Sequence, residues 1–203
     1  MSQVQARVKA PEASDPLQPM FQYFRKISNL SDPAELAIRE ACTVLSLPKN
    51  QDLQPVGHAC TTIYFILRGS LRIYYFKDDL DITESFSFEN SIVARVESLF
   101  TGRPSKKGIQ IMEDAELVAI HANRLFRLYD AYPEIERLFR KIFEATHVDT
   151  INRMESIQFH TAEERYRNLL TDEPDIIRRA PLKFIASYLG ITPTSLSRIR
   201  ARK

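Results

Sequence analysis

The side chains best suited to chemistry lie near the end of the sequence, where arginines and hydroxyl residues are interleaved. Arg198 can make a bidentate contact to guanine O6 and N7, the commonest specific contact in the major groove of DNA. The nearby hydroxyls can bond phosphates or base edges, and the remaining basic groups suit neutralisation of a phosphate backbone. The candidate DNA-binding residues are therefore Thr192, Thr194, Ser195, Ser197, Arg198, Arg200, Arg202 and Lys203.

A pair of helices is needed to position these side chains, and the segment PLKFIASYLGITPTSLSRIRARK has the required pattern. Apolar residues mark the inner face of a first helix, where Ala186 is small enough for a second helix to cross closely. Gly190 supplies a left-handed turn residue. Thr192 can cap the next helix, with Pro193 at its first position. This spacing predicts a helix-turn-helix, a tight corner that presents a short exposed helix.

The positive charge of the chain is concentrated in the same region. The sequence has 28 Lys and Arg residues against 26 Asp and Glu residues, which gives a net charge of +2. Residues 178–203 contain seven basic residues and no acidic one, so residues 1–177 carry a net charge of −5. A basic end on an acidic body indicates a polyanion as the partner of the C-terminal segment.

The composition also excludes several classes of protein. Apolar residues make up 44% and charged residues 27% of the sequence, as in globular chains. No apolar run approaches the roughly 20 residues that a membrane span needs, and the first residues contain no apolar signal segment. Two cysteines are too few for a disulfide scaffold. We therefore expect a cytoplasmic protein with no membrane partner.

No arrangement of residues predicts catalysis or a resident cofactor. The sequence has no GxSxG motif, no defensible Ser-His-Asp set and no pair of carboxylates framed by glycines. His58 and Cys60 lie two residues apart in a predicted turn, but two ligands are too few to predict a metal site. We expect no catalytic residue, no metal and no cofactor, and a protein that is not an enzyme.

The residue pattern changes along the chain and divides it into four predicted segments. Residues 1–19 are polar and contain three prolines, which suits a flexible leader. Apolar residues recur at helical spacing from Met20 to Leu45, and short β-rich runs follow from Leu47 to about His121. Successive strands without helices between them indicate an antiparallel sandwich or barrel. Residues 20–132 are therefore predicted to form an antiparallel β-structure with flanking helices.

The clearest element in this region is a predicted hairpin, TTIYFILRGSLRIYYF, in which Arg68-Gly69-Ser70 separates two β-rich runs. Further strands are predicted around 82–88, 109–112 and 117–120.

A long helix is predicted from Pro133 to about Phe159, and it is difficult to bury within one small domain. Its apolar face suits a seam between two subunits, although an ordinary core helix would show the same spacing. Thr161 and Glu164 then form a predicted capping box that begins the last segment, 160–203. The residues predicted to form the dimer interface are Ile135, Leu138, Phe139, Ile142 and Thr146.

The order of β-rich domain, long helix and helix-turn-helix resembles the Crp/Fnr family of bacterial transcription regulators over nearly the whole sequence after the leader. FILRGSLRIYY is similar to the glycine-turn hairpin of the family's cyclic-nucleotide-binding-like β-roll, and IASYLGIT followed by LSRI is similar to its DNA-reading unit. The resemblance implies an α+β fold whose roll is of double-stranded β-helix or jelly-roll type. It also implies a homodimer paired along 133–159, in which an effector in the sensor roll repositions two units on double-stranded DNA, and RNA polymerase as a further partner.

Two departures from the family change what we expect of the effector and the DNA-binding unit. The family's cyclic-nucleotide binders use an Arg and a Glu in a cassette of the form GE…RSA or GE…RTA, and those positions fall on Ser105 and Val96. A buried phosphate needs charge-assisted hydrogen bonds, so we expect an effector other than a cyclic nucleotide, or none. The candidate effector pocket comprises Val96, Glu97, Arg103, Ser105 and Lys106. The sequence also ends where the family continues into a β-hairpin wing, so we expect a helix-turn-helix without a full wing.

A second function fits the same residues. The chain could be a ligand-sensing or protein-interaction module with a cyclic-nucleotide-binding-like fold whose helix-turn-helix does not read DNA. Substitution of Arg198 separates the two hypotheses, because only a DNA-reading protein would lose specific DNA binding.

Overall fold

The computed structural model describes residues 15–201, in which helices flank a β-rich centre. The first helices are α1 (Gln18–Ile27) and α2 (Asp32–Ala41). The central region contains β1 (Cys42–Leu47), β2 (Asp52–Gln54), β3 (Thr62–Arg68), β4 (Leu71–Lys77), β5 (Leu80–Ser87), β6 (Ile92–Val93), α3 (Val96–Thr101), β7 (Gly108–Ile111) and β8 (Ala115–His121). The later helices are α4 (Ala122–Ala131), α5 (Pro133–Phe159), α6 (Ala162–Asp172), α7 (Pro174–Arg179), α8 (Leu182–Tyr188) and α9 (Pro193–Ala201).

The strands form two antiparallel sheets, which we name the first sheet (order β1-β8-β3-β6) and the second sheet (order β2-β7-β4-β5). Apolar side chains of both sheets, such as Ile66 and Ile109, are buried between them. Helices α1, α2, α4 and α5 pack on the outer face of the first sheet around Phe24 and Phe65. The unit α6–α9 packs against the second sheet, chiefly through α8 and β5. This arrangement confirms the predicted α+β fold with an antiparallel roll, a long helix and a helical C-terminal unit.

The chain passes from one sheet to the other at Gly69, where the sequence predicts a hairpin. That prediction is wrong, because β3 pairs with β6 and β8 whereas β4 pairs with β5 and β7. Gly69 has a φ of +97°, and a Cβ added there would lie 2.8 Å from the carbonyl oxygen of Asp114. Glycine is therefore required for the crossing. The hairpin of this region is β4–β5, whose turn residues Asp78 and Asp79 have positive φ.

The N-terminal helical region ends earlier than its apolar spacing predicts. Helix α2 ends at Ala41, and residues from Cys42 to Leu47 form a strand that pairs along its whole length with β8. The β-branched residues Thr43 and Val44 favour this extended backbone, and pairing to a buried strand outweighs the helical spacing of the apolar residues. Part of the predicted leader is also helical, since α1 begins at Gln18, and residues 1–14 lie outside the described residues.

The long helix α5 has the predicted limits, but the first half of its apolar face is already buried inside its own chain. The predicted interface residues Ile135, Leu138, Phe139 and Ile142 are at most 3% exposed, and they belong to the core formed with α1, α2 and α4. The Phe139 ring lies 5.7 Å from the Phe24 ring of α1. This corrects the predicted seam, because side chains that are fully buried in one chain are not free to contact a second chain. Of the five, only Thr146 is exposed.

The start of α6 confirms the predicted capping box. The backbone N–H of Glu164 donates to the Thr161 hydroxyl over 3.3 Å, and the Thr161 N–H donates to the Glu164 carboxylate over 2.8 Å. These bonds satisfy amides that have no partner within the helix. Among residues 15–201, no helix is long and apolar enough to cross a membrane.

Candidate nucleic-acid interface

The corner between α8 and α9 is closed by local hydrogen bonds and one left-handed residue. Gly190 has a φ of +69°, and its N–H donates to the Ser187 carbonyl over 3.0 Å. The Ile191 N–H reaches back to the Ala186 carbonyl over 3.0 Å, which satisfies carbonyls at the end of α8. The Thr192 hydroxyl then accepts from the Ser195 N–H over 3.2 Å and caps α9. These contacts turn the chain sharply and fix where α9 begins.

Helix α9 has one buried face and one exposed face. Leu196 is 1% exposed and packs in the core of the C-terminal unit with Leu189 of the turn. Thr194, Arg198 and Arg200 are exposed on this short helix. Within residues 15–201 neither arginine makes an ion pair or a side-chain hydrogen bond, so both guanidinium groups can bind an outside anion.

The remaining predicted DNA-binding residues are used partly inside the helix or lie outside the description. The Ser195 hydroxyl is 3.0 Å from the Thr192 hydroxyl, and the Ser197 hydroxyl donates to the Pro193 carbonyl over 3.0 Å. Thr192 and Ser195 therefore form the helix cap first, and any contact with an outside group uses their free lone pairs. Arg202 and Lys203 lie outside the described residues.

The DNA-reading candidate is attached to the roll through α8, and Arg72 lies at the centre of that contact. Arg72 is 2% exposed, and its guanidinium is held by two 2.6 Å hydrogen bonds to the Asp81 carboxylate. The Phe184 ring of α8 covers the other side of this cation, with its centroid 3.6 Å from the guanidinium carbon. Nearby, the Thr83 N–H donates to the Ser187 hydroxyl over 3.1 Å. Such a buried, paired and stacked cation favours one orientation of α8 on β5.

A second link joins the two parts through Arg179 at the end of α7. Its guanidinium contacts the Glu89 carboxylate over 2.6 Å and the Glu113 carboxylate over 2.5 Å, and both acids lie in turns of the roll. The hydrogen bonds from Arg179 lower the pKa of Glu89 to about 2, and they also lower the pKa of Glu113. The same two carboxylates raise the pKa of Arg179. The ion pairs therefore persist at neutral pH and hold the C-terminal unit on the roll.

The predicted effector residues are spread around α3 and the loop that follows it. Val96 is the first residue of α3, while Glu97, Arg103 and Lys106 are exposed. Ser105 is 3% exposed and is held by its backbone, whose N–H donates to the His58 carbonyl over 2.9 Å. Of these five residues, only Ser105 is buried.

Three charged side chains outside the predicted pocket meet between β5 and the loops on either side of α3. Glu84 of β5 pairs with Arg95, 3.2 Å from Nη1 to Oε2, and with Lys107 through its other oxygen. Strand alternation could have indicated Lys107, since Ile109 and Ile111 of β7 face the space between the sheets and residue 107 has the same parity. Arg95 gives no such signal, because it lies in a loop between β6 and α3.

The second half of α5 carries a row of exposed apolar side chains. The side chains there recur every third residue, and their exposed fractions lie between 37% and 54%. We name this set the α5 stripe: Val148, Ile151, Met154 and Ile157. Two more exposed apolar residues, Phe76 and Leu80, flank the turn of the β4–β5 hairpin.

The architecture is an antiparallel β-roll connected by one long helix to a helix-turn-helix unit. Comparison with solved structures shows that this is the fold of the Crp/Fnr transcription regulators. No protein-family model matches the sequence, and a search of curated proteins finds no match.

Three solved structures illustrate the likeness. A regulator from Eubacterium rectale, named as a member of the Crp/Fnr family, is 18% identical with a TM-score of 0.68, and the match covers 85% of this chain and 83% of that one. FixK2 from Bradyrhizobium japonicum is 17% identical with a TM-score of 0.67, covering 79% of this chain and 83% of its own. The c-di-GMP-responsive global regulator CLP from Xanthomonas campestris is 16% identical with a TM-score of 0.68, covering 85% and 91%. At these identities the comparison establishes the shared fold.

Proposed function

We propose that this protein is a DNA-binding transcription regulator of Crp/Fnr type that acts as a homodimer on a near-palindromic operator. The observation that carries the proposal is α9, whose inner face is fixed by the buried Leu196 while Arg198 and Arg200 are exposed. Both guanidinium groups lack an ion-pair partner in the described part of the chain. A short, capped and basic helix on a tight corner is the form that enters a major groove.

The exposed residues of α9 divide into two roles on DNA. Arg198 lies within the helix and can bond guanine O6 and N7, whereas Arg200 is closer to the helix end and suits a phosphate. Thr194 in the first turn can donate its hydroxyl to a phosphate or to a base edge. The shared fold supports this assignment, since the proteins that have it include a named transcriptional regulator and a named global regulator of gene expression.

The α5 stripe supports the homodimer. Steps of three residues move the row about 60° round the helix each time, so its two central side chains, Ile151 and Met154, share one face. A two-fold axis along paired helices brings these two side chains of each copy together. The row begins where the first half of the helix leaves its own core, at the exposed Thr146. The two copies of α9 would then meet half-sites about 34 Å apart, one turn of DNA.

Two residues of the roll support the proposal that its effector is not a cyclic nucleotide. The hydroxyl side chain of Ser105 and the apolar side chain of Val96 stand where the family's nucleotide binders have charged groups. Ser105 accepts a hydrogen bond from the Lys107 N–H over 3.1 Å, so its oxygen is already engaged in the loop. Calorimetric titration of cyclic AMP into the protein should therefore show no saturable heat, and micromolar binding would contradict this part of the proposal.

Selection of genomic fragments by the purified protein, followed by fluorescence anisotropy on the best fragment, tests DNA reading. We expect Arg198→Ala to weaken specific binding by about 5- to 150-fold, the value of a lost bidentate base contact. The matched control is Arg140→Ala, which removes the same charge from an exposed surface pair with Glu144. If neither the parent nor the control binds any fragment in a salt-sensitive manner, the chain is the interaction module instead and the proposal fails.

Sedimentation equilibrium tests the dimer. Met154→Asp places a charge in the α5 stripe and should convert the protein to a monomer, because an unpaired charge in an apolar contact costs several kcal/mol. The control Asn152→Asp adds the same charge on an exposed position two residues away and should leave the dimer intact. A parent protein that sediments as a monomer, or a Met154→Asp variant that remains a dimer, would contradict the proposed seam.

A further inference from the structure

The contact between β5 and the loops on either side of α3 contains more positive than negative charge. Arg95 and Lys107 both pair with the single carboxylate of Glu84. The side chains are partly shielded from water, with exposed fractions of 14% for Arg95, 33% for Lys107 and 31% for Glu84. Two cations that share one carboxylate retain unneutralised charge in a region where solvent screening is reduced.

Two arginines of the helical part extend this cluster. Arg153 of α5 interacts electrostatically with Glu84, with Arg165 of α6 and with Glu173, and its burial lowers its pKa. Burial raises the pKa of Glu173, which is also 3.5 Å from the Tyr188 hydroxyl. Glu173 in turn interacts with Asp149 and Asp172, so the excess of positive charge lies at Arg95 and Lys107, which share the carboxylate of Glu84.

Three of these guanidinium groups have an unused donor. The Nε–H groups of Arg95, Arg153 and Arg165 are buried and have no hydrogen-bond partner in the described part of the chain. A buried donor without an acceptor destabilises the folded chain, so each of these three groups calls for an explanation. An oxyanion supplies the missing acceptors, because Nε–H and Nη–H together form a fork that matches a carboxylate or a phosphate.

We propose that a small oxyanion, with either carboxylate or phosphate groups, binds between Arg95 and Lys107 in competition with the Glu84 carboxylate, and that it is the effector of this regulator. The regulatory part of this inference rests on the proposed function, whereas the binding site rests on the cluster alone. Binding is non-covalent, since the oxyanion of the ligand replaces the Glu84 carboxylate as the partner of the two cations.

The cluster is also in direct contact with the DNA-reading unit. Arg153 donates to the backbone carbonyl of Tyr188, the last residue of α8, and its guanidinium carbon is 3.7 Å from the centroid of the Tyr188 ring. Arg165 donates to the Leu189 carbonyl in the turn before α9 over 2.7 Å. On the other side, Thr83 precedes Glu84 on β5 and donates its N–H to Ser187 of α8. Exchange of Glu84 for a ligand therefore changes groups that hold α8.

Isothermal titration of the full chain with two probes, inorganic phosphate and succinate, tests the site. One probe should bind with one equivalent per chain, and its identity tells which oxyanion class the site takes. Arg95→Gln and Lys107→Gln should each weaken that binding about tenfold or more, since each removes a charge-assisted hydrogen bond. Glu84→Gln should strengthen it about fivefold, because it removes the competing carboxylate.

The opposite effects at Glu84 and at its two partners separate this site from non-specific attraction. The control Arg140→Gln removes a surface charge of the same kind and should bind like the parent. The inference is overturned if neither probe binds, if Arg95→Gln binds like Arg140→Gln, or if Glu84→Gln leaves the affinity unchanged. The Glu84→Gln arm is a gain of affinity, so a loss of folding cannot produce it.

The same proteins distinguish failure of this site from failure of the proposed function. Arg198→Ala should keep the oxyanion affinity of the parent while it loses DNA binding. If the oxyanion binds as expected but no fragment of DNA is bound, the site is correct and the DNA-binding proposal is not. If the oxyanion binds but DNA affinity is the same with and without it, the molecule is a ligand and its role as effector is wrong.

Discussion

Arg179 gives the most precise prediction about how the two parts of the chain are held together. Its guanidinium bridges Glu89 and Glu113 from different turns of the roll, and Arg179→Gln removes both ion pairs while keeping a polar side chain of similar length. The two carboxylates would then lie near each other without a counter-charge. Loss of one partner from a buried ion pair costs about 3–5 kcal/mol.

The expected loss is smaller than that, because the three side chains are only partly buried. Arg179 is 25% exposed, Glu89 31% and Glu113 33%. Allowing for solvent screening, we expect Arg179→Gln to lower the free energy of unfolding by about 2 kcal/mol at pH 7. For a chain of 203 residues, this corresponds to a fall in Tm of about 4–8 °C.

The loss should depend on pH in a defined direction. The pKa of Glu89 is lowered from 4.5 to about 2 in the folded protein, so its ion pair contributes fully above pH 4.5 and loses its contribution as the pH falls toward 2. The difference in stability between the parent and Arg179→Gln should therefore be constant from pH 7 to 5 and should shrink below that.

Thermal unfolding followed by circular dichroism at several pH values makes this measurement. The control is Arg178→Gln, one residue earlier, where the arginine is 70% exposed and pairs only with Asp175 on the surface. We expect the control to change stability by about 0.5 kcal/mol or less. Equal Tm values for the two variants, or a deficit of Arg179→Gln that is unchanged down to pH 2, would show that these ion pairs do not hold the C-terminal unit on the roll.

Three further substitutions test other parts of the fold, each by urea denaturation. Gly69→Ala should cost about 3 kcal/mol or more because its Cβ would lie 2.8 Å from the Asp114 carbonyl oxygen, just before β8. Gly57→Ala, at a positive φ but with no atom within 4 Å, should cost about 1 kcal/mol. Equal costs would argue against the crossing. Phe184→Ala should cost about 2 kcal/mol because it uncovers the buried Arg72. The control Leu182→Ala changes an exposed residue of the same helix and should cost about 0.5 kcal/mol. Equal costs would show that the stack of Phe184 on Arg72 does not hold α8. Thr161→Ala should cost about 1 kcal/mol through the lost cap of α6, and an unchanged midpoint would contradict the capping box.

The parts of the fold that the sequence predicts well are those specified by neighbouring residues. The turn at Gly190, the cap at Thr192 and the capping box at Thr161 all depend on residues within five positions of one another. The same local signals locate most strands and the limits of α5. Caps and turns depend on a few neighbouring residues, so they can be predicted from a short window of sequence.

The parts that the sequence does not predict depend on which distant segments meet. The two strands beside Gly69 have the pattern of a hairpin, but each pairs with other strands, and no residue in the window shows that. Likewise, the apolar period of α5 marks a buried face without showing whether Phe139 is covered by its own α1 or by a second chain.

The charged contacts follow the same rule. Arg179 lies 66 residues from Glu113 and 90 from Glu89, so the link between the C-terminal unit and the roll has no local signal. Arg95 and Lys107 each lie one residue away from positions in the predicted effector pocket, Val96 and Lys106. A resemblance to a family places the region correctly, but the side chains that meet there are decided by the pleat of the strands and by the loops of this chain.

The most direct test of the account is a hydroxyl-radical footprint of the dimer on the best selected DNA fragment. We predict two protected patches of equal strength, related by two-fold symmetry and centred about 34 Å apart, the distance of one DNA turn. Both patches should disappear together in Arg198→Ala and remain in Arg140→Ala. A single asymmetric patch, protection that does not depend on Arg198, or no protection at any salt concentration would contradict the claim that paired copies of α9 read this DNA.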